Sequence, residues 1–278
     1  MHFSLSLPTL DPSEERFQRT LHSVLQQTAL SSPQISLSIF VVSPSSVSDE
    51  HMYSWVGDRP NVSITSVLDQ GRGLYAALAA SFALHTGDAN SYMGAGDVLE
   101  PQTLKLVAEG MALGEHSTIT WLTGQVVTRR ADGAIVRTTL PPPYSRKGLI
   151  RGRYTRLAPS IQQESTWWSR GLHDRIPLGE FARWRLAGDF FLWKTFAESS
   201  APVVLDAVLG SFTWHGDNMS QDWTAYLAEI EDMCGPLTAW DRVNAYGYQA
   251  MWALPNRLKW KLFRGRVYRW AWPDGPWV

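Results

Sequence analysis

Cysteine is almost missing from this chain. One thiol, Cys234, in 278 residues rules out an internal disulfide and any cysteine-based metal cluster, and it fits a reducing compartment. Net charge is missing too: 25 Lys and Arg stand against 26 Asp and Glu, so no global field draws the chain to nucleic acid. No apolar run is long enough to cross a bilayer, and the first residues lack the basic start and apolar stretch of a secretion signal. These absences place the chain in the cytoplasm. No internal repeat or low-complexity segment breaks it up.

Apolar residues make up 44% of the chain, enough for one generous core or two small domains. Fourteen are tryptophans, which serve either as sugar-binding platforms or as large core and interface residues. Phe3, Leu5 and Leu7 alternate as in a strand that stops at Pro8. Asp11-Pro12 then signals a helix whose apolar face is Phe17, Leu21, Val24 and Leu25. Ile35 to Val42 and Val62 to Val67 read as two more strands. Strand, helix, strand alternation predicts a parallel, doubly wound sheet that gathers ligands at the carboxyl ends of its strands.

The segment from Leu68 to Glu100 carries the densest signal. Gly71 and Gly73 permit an unusual turn, and Leu74, Leu78 and Phe82 recur at helical spacing up to about Gly87. Ser91 to Met93 reads as a buried strand, after which Gly94 and Gly96 leave room around Asp97. A glycine-rich helix entry followed by an acid among glycines brings backbone and carboxylate close to a diphosphate. A lone carboxylate there suits a divalent cation, Mn2+ or Mg2+, that takes its other ligands from phosphate oxygens and water. Asp97 is equally placed to cap the next helix, from Pro101 through Leu104, Val107 and Met111.

Farther on, Thr118 to Val127 is β-branched, and Asp132-Gly133 marks a hairpin to Ile135–Thr138. Ser145 to Arg156 holds Arg146, Lys147, Arg151, Arg153 and Arg156 with no acid, as a solvated loop or a flap over phosphates. Val203 to Phe212 reads as a strand. From Pro255, Arg257, Lys259, Lys261, Arg264, Arg266 and Arg269 interleave with aromatic and aliphatic residues up to Trp272. Such a tail lies on an anionic bilayer, or packs on the domain with its basic face in water.

The order Asp69-x-Gly71-x-Gly73-Leu74-Tyr75-x-Ala77, a helix, then Gly94-Ala95-Gly96-Asp97 resembles the family 2 glycosyltransferases of GT-A fold, in particular bacterial ones that build surface polysaccharides. Gly71, Ala76, Ala79 and Gly96 stand where that family commonly has Asp, Asp, Asn and the first metal-side Asp. The resemblance runs from Phe3 to Ser220. It implies an α/β fold, a GT-A mixed sheet flanked by helices. Residues 1–220 would form the transferase domain, split into a donor half (1–100) and an acceptor half (101–220), with 221–278 a C-terminal helical extension.

The same resemblance implies roles. Pro8, Thr9 and Asp11 lie in a loop like the one that cradles the nucleobase, although Asp11 also suits a helix cap. Ser43 stands near where the family has a base-binding Asp. Asp69 would bind base or ribose, or simply form the turn, and Arg72 would reach the diphosphate or lie in solvent. Gly73, Tyr75 and Gly96 complete the donor side. Gln163, Glu164 and Trp167, in a segment like the family's His-Gln strand, line the acceptor side. Asp189, in Gly188-Asp189-Phe190-Phe191, matches the acid that serves as catalytic base, a position also compatible with an N-cap. His215, on a polar loop, would join Asp97 at the metal or bind the diphosphate, or be structural.

The implied reaction moves a sugar from a nucleotide-diphosphate donor to a hydroxyl of a growing, lipid-linked glycan such as O-antigen, capsule or exopolysaccharide, with inversion. Residues 255–272 would touch the inner face of the membrane. Two other readings stand beside it: an inactive nucleotide-sugar or glycan binding protein of the same fold, and a nucleotidyltransferase. The latter lacks the basic, glycine-rich loop expected after the first strand.

Overall fold

A computed structural model of the chain describes residues 1–113, 119–214, 222–269 and 277–278. His215, Ser220, Trp270, Trp272 and the start of the stretch read from Thr118 lie outside the described residues.

The first strand, β1 (His2–Pro8), is buried on both faces, as central parallel strands are. Its period of two turns Phe3, Leu5 and Leu7 one way and Ser4 and Ser6 the other. The serines are satisfied: Ser4 Oγ accepts from Gly87 N at 2.9 Å, and Ser6 Oγ meets Ser81 Oγ at 2.7 Å. α1 (Glu15–Leu25) packs Phe17, Leu21 and Val24 against the apolar face. A 3-10 turn (Thr28–Ser31) leads to β2 (Ser36–Ser43), and α2 (Asp49–Val56), capped by Ser48, leads to β3 (Val62–Leu68). α3 (Leu74–Phe82) stops five residues short of Gly87 and delivers the chain to β4 (Ala89–Tyr92). β2 and β4 flank β1, β3 flanks β2, and every pairing is parallel.

Beyond β4 the sheet becomes mixed. β5 (Val98–Leu99) and α4 (Thr103–Ala112) precede β6 (Trp121–Thr123), β7 (Val126–Arg130) and β8 (Ile135–Thr139). The stretch expected as one strand from 118 to 127 is therefore two strands in different sheets. The break falls at Gly124, where a Cβ would sit 2.7 Å from the Ala207 carbonyl oxygen. The hairpin at Asp132-Gly133 does form, with Gly133 at φ +88°.

α5 (Arg146–Ile150) and α6 (Arg153–Arg156) come next, then a 3-10 turn (Gln163–Ser165) and β9 (Thr166–Ser169). α7 (Arg170–His173), α8 (Leu178–Phe181), α9 (Gly188–Ala197), β10 (Val203–Leu205) and β11 (Gly210–Trp214) follow. α10 (Trp223–Cys234), α11 (Ala239–Trp252), α12 (Asn256–Leu262) and β12 (Val267–Tyr268) end the described chain. The large sheet runs β12-β10-β6-β9-β4-β1-β2-β3, with β9 antiparallel to both neighbours, and the small one runs β5-β11-β7-β8.

Two expectations change here. The basic segment 145–156 is neither a solvated loop nor a flap, because its four arginines are taken up by neighbouring helices, while Lys147 stays exposed. Arg146 donates to the carbonyls of Ala197 and Glu198 at the end of α9, and Arg156 Nη1 to Gly235 O at 2.9 Å. Arg153 Nε and Arg151 Nη2 reach Asp241 at 2.7 and 3.1 Å. Burial pushes the Asp241 carboxyl up, yet these bonds and those from Thr238 hold it below the usual carboxylate range. Nor is 221–278 a purely helical appendage. β12 pairs in parallel with β10 in the large sheet, so the last segment shares the core.

That core has two halves, one on each face of the sheet. Phe3, Leu5, Leu7, Phe17, Leu104 and Trp167 belong to one. Phe82, Trp121, Trp168, Phe181, Trp193 and Phe196 belong to the other, so these tryptophans serve packing. Among the described residues, no helix is long and apolar enough to cross a membrane.

Candidate active site

The carboxyl ends of β1, β3 and β4 open into a cavity of about 540 Å³, closed on the far side by the start of α9 and by α10. Pro8, Thr9, Asp69, Gly73, Tyr75, Asp97, Gln163, Glu164 and Asp189 all line it. Residues more than a hundred positions apart thus share one space, at the place where open α/β sheets collect ligands.

The donor side is built by backbone. Asp69 accepts from Gly71 N at 2.9 Å, which makes the turn, and Gly73 at φ +99° starts α3. Thr20 on α1 grips the glycine loop: its Oγ accepts from Gly96 N at 2.9 Å and donates to Asp97 O at 2.7 Å. Asp97 is 8% exposed, and its Oδ1 accepts from Thr213 N at 2.8 Å. Glu164, also 8% exposed, meets it carboxyl to carboxyl in a hydrogen bond. Burial first, and then the charge of Glu164, pushes Asp97 well above the usual carboxylate range; burial likewise pushes Glu164 up to about 7.

Two buried carboxyls in contact repel when both ionise, and a hard dication between them relieves that repulsion. The oxygen donors present therefore fit Mn2+ or Mg2+ whose remaining ligands come from phosphate and water. Among the described residues, no third His, Cys, Asp or Glu joins the pair. Arg16, held by Glu14 at 2.6 Å, brings the cation among the described lining residues.

Asp189 occupies the opposite wall, at the second position of α9. Its Oδ1 accepts from Phe190 N at 2.7 Å, and Tyr226 Oη donates to Oδ1 at 2.9 Å and Oδ2 at 3.1 Å. Burial raises its pKa to about 6, against the bonds from Phe190 and Tyr226 that favour the ionised form. A carboxylate with that value is poised to take a proton near neutrality.

Several expected site residues lie elsewhere. Asp11 is exposed and spends Oδ1 on Ser13, accepting from its N at 2.8 Å and its Oγ at 2.7 Å. Ser43 is fully buried, and its hydroxyl donates to Ser45 O at 2.5 Å. Arg72 is exposed and outside the cavity lining. Gly96 supplies the φ of +106° that the loop needs but does not line the space itself. Trp167 points through the sheet into the opposite core half, edge-on to Phe3 at 5.5 Å, because β9 alternates faces and Trp168 takes the other. Gln163 lines the cavity while its amide donates to Tyr92 O.

Sequence reasoning missed Glu14, Arg16, Leu186, Phe212 and Tyr226 in the lining. The Asp11-Pro12 signal lies ahead of α1, which begins at Glu15, and it does not say which way Arg16 in the first turn faces. Nothing in the sequence around Tyr226 distinguishes it from an ordinary helical packing residue.

The sequence matches no family profile and no curated protein. Solved structures do match in shape. S. aureus TarS residues 1–349 in complex with UDP superposes with a TM-score of 0.57 at 15% identity, covering 94% of this chain and 75% of that one. The complex of the same fragment with UDP-GlcNAc gives 0.57 at 14%, covering 94% and 78%. The mannosyltransferase PcManGT from Pyrobaculum calidifontis, in complex with GDP-Man and Mn2+, gives 0.54 at 12%, covering 92% of this chain and 71% of that one. Against a longer TarS chain, matched with a TM-score of 0.54 at 13% identity, this chain spans 43% of that chain. The mixed sheet, its flanking helices and these superpositions together establish that the chain has the GT-A fold.

Proposed function

We propose that the chain is a glycosyltransferase that moves a sugar from a nucleoside diphosphate to a hydroxyl of a growing bacterial glycan. One observation carries this reading: a single cavity holds the glycine loop with its acidic pair on one wall and a separate carboxylate raised to about 6, Asp189, on the other. Chain fold adds support, since neighbours of the same fold bind UDP-GlcNAc and GDP-Man.

The donor's base would lie against Pro8, Thr9 and Asp69, and its diphosphate against the loop 94–97, with Arg16 within the same cavity. Asp97 and Glu164 would hold a divalent cation, which supplies charge neutralisation for the departing diphosphate. Asp189 would orient the acceptor hydroxyl and take its proton as the new C1–O bond forms. The C1–O bond to phosphate breaks, and its electron pair leaves with the nucleoside diphosphate. One base opposite the leaving group implies a single displacement with inversion at C1.

A lipid-linked acceptor and contact with the inner face of the membrane through 255–272 complete the proposal. α12 supports it by inverted polarity. Lys259 is 1% exposed, with Nζ donating to Leu140 O at 2.7 Å and Trp252 O at 2.9 Å, while Leu258 and Leu262 are 43% and 64% exposed. Beside these leucines, Arg257, Lys261, Arg264 and Arg269 line a second concavity around Trp260, and among the described residues none of the four has an ion-pair partner. Leucines beside unpaired cations match an anionic headgroup layer over its acyl chains.

The test is release of nucleoside diphosphate from a panel of UDP-, GDP-, dTDP- and CDP-sugars, with native protein and Asp189→Asn. Native turnover on one donor that Asp189→Asn lacks, with donor binding intact, is the expected result. Equal release by both proteins would overturn the assignment, and binding without release by either would favour a binding protein of the same fold.

A further inference from the structure

α10 follows the transferase strands in sequence, yet it reaches back to the start of α9 at two points one turn apart. At the first, the Glu229 carboxylate accepts three consecutive backbone N–H groups: Arg185 at 3.1 Å, Leu186 at 3.0 Å and Ala187 at 2.8 Å. At the second, Tyr226 Oη donates to both oxygens of Asp189. Residues three apart share a helix face, so a single helix delivers both contacts. Ala187 and Phe190 pack with Tyr226 and Ile230 in a small cluster of their own, which seats α10 on this turn.

The loop is held from the other side as well. Tyr75 Oη donates to Leu186 O at 2.9 Å, so residue 186 is pinned through its N–H by α10 and through its carbonyl by α3. Backbone N–H groups of a loop ordinarily meet water or a nearby acceptor. Ala187, the residue before α9, offers no side-chain cap, and a carboxylate from forty residues downstream does that work.

We propose that Tyr226 and Glu229 are positioning residues of the transfer reaction, a clamp by which α10 sets the direction and ionisation of the catalytic base. The proposal rests on the reading of Asp189 as that base. Glu229 fixes the loop from which Asp189 projects. Tyr226 aims the carboxylate and leaves one oxygen to the acceptor: Oδ1 already accepts from Phe190 N and Tyr226, whereas Oδ2 has only the longer bond at 3.1 Å. Oδ2 is thus the atom to which the acceptor proton goes. A hydroxyl donated to the ionised form also keeps it ionised in a buried setting. The other titratable groups facing Asp189 are Tyr75 on α3, Tyr92 on β4 and Glu164 on the 3-10 turn, together with Glu229 itself. Among the described residues, Tyr226 is the one whose side chain hydrogen-bonds to the carboxylate.

Tyr226→Phe keeps the ring and removes the bond; Glu229→Gln keeps the shape and removes the charge. Two measurements on the full chain separate the outcomes. The first follows the Asp189 carboxyl by carbon-13 NMR against pH, assigned by its loss in Asp189→Asn, and needs no substrate. Tyr226→Phe is expected to shift this titration upward by half a unit or more, with the melting curve near that of the native protein. Glu229→Gln is expected to shift it little.

The second is the pH profile of turnover on the donor found in the screen. Tyr226→Phe is expected to move the acidic limb upward by the same amount and to lower kcat about tenfold at pH 7 with the donor KM unchanged. Glu229→Gln should lower kcat without moving the limb. An Asp189 titration and a kcat unchanged in Tyr226→Phe overturn the clamp even where Asp189→Asn is inactive. If Asp189→Asn is instead fully active, the assignment of the base fails, whereas the NMR shift in Tyr226→Phe still reports whether the contact governs the carboxylate.

Discussion

The imidazole rings of His85 and His173 stack 5.1 Å apart at an interplanar angle of 10°, inside the core and behind the cavity. His85 Nε2 bonds Ser6 Oγ at 2.8 Å and its Nδ1 meets Asn90 Oδ1 at 3.2 Å, while His173 Nε2 bonds Phe82 O at 2.9 Å. Burial, and then the neighbouring His173, pulls His85 down to about 3; burial lowers His173 as well. His85 therefore stays neutral in the folded protein down to about pH 3, and burial also disfavours a charge on His173.

An acid-sensitive stability follows. Below about pH 6.5 the unfolded chain takes up a proton that the folded His85 ring refuses, so this stabilisation is full above that value and drains away as pH falls towards 3. For His85 alone the loss at pH 5 is about 2 kcal/mol. Urea midpoints at pH 7.5 and pH 5 should differ less in His85→Gln than in the native protein. An equal difference in both would show that His85 does not carry the effect.

The acidic pair predicts metal-linked binding. UDP or GDP with Mn2+ should raise the melting temperature of the native protein, by an amount corresponding to about 2.7 kcal/mol at a hundredfold excess over Kd. Asp97→Asn and Glu164→Gln should each lose the part of that rise that depends on the metal. Rises of native size in both variants would remove the pair as cation ligands.

Asp189, pushed up to about 6, predicts a turnover that climbs with pH through that value and levels off above it, because only the ionised carboxylate accepts a proton. The pH profile of kcat/KM checks it. A flat profile from pH 5 to 8 would contradict the assigned role.

Gly188 leaves no room for a side chain: a Cβ there would lie 2.3 Å from Tyr75 Cδ1. Gly188→Ala should cost about 1–3 kcal/mol of stability through overpacking and should displace the base beside it. The paired change Tyr75→Leu with Gly188→Ala should recover part of the loss, read as a melting temperature above that of Gly188→Ala alone.

The face of α12 predicts binding to vesicles that contain phosphatidylglycerol and none to neutral ones. Leu258→Gln with Leu262→Gln should weaken it, as should Arg257→Ala with Lys261→Ala, each cation being worth about 1 kcal/mol near an anionic surface. Cosedimentation unchanged in both pairs would dismiss the membrane contact.

Local pattern made much of this protein legible. The alternation in Phe3–Leu7 and the apolar runs at 35–42 and 62–67 fall within a residue of β1, β2 and β3, and Gly73-Leu74 marks the start of α3. Asp97 stood out because an acid among glycines is conspicuous in one dimension, and Asp189 because its segment resembles the one that carries the base in the family 2 glycosyltransferases. The structure puts both in one cavity. Trp167 illustrates the limit. Adjacent tryptophans in a strand face opposite ways, and the register of β9 against β4 and β6 sends Trp167 into one core half and Trp168 into the other, neither of them into the cavity.

What the sequence determined by itself is therefore what depends on neighbours along the chain: the parallel α/β half, the glycine turns, the hairpin at Asp132-Gly133 and the acid among glycines, Asp97. Tertiary structure decided what depends on meetings across it. It split the stretch after Ile119 between two sheets, drew the basic segment 145–156 into helix ends and Asp241, and turned the tail into a sheet edge at β12. It also set Tyr226 and Glu229 against the base. Hydrogen bonds and buried carboxylates act over about 3 Å in space, and periodicity carries no record of which distant residues come that near.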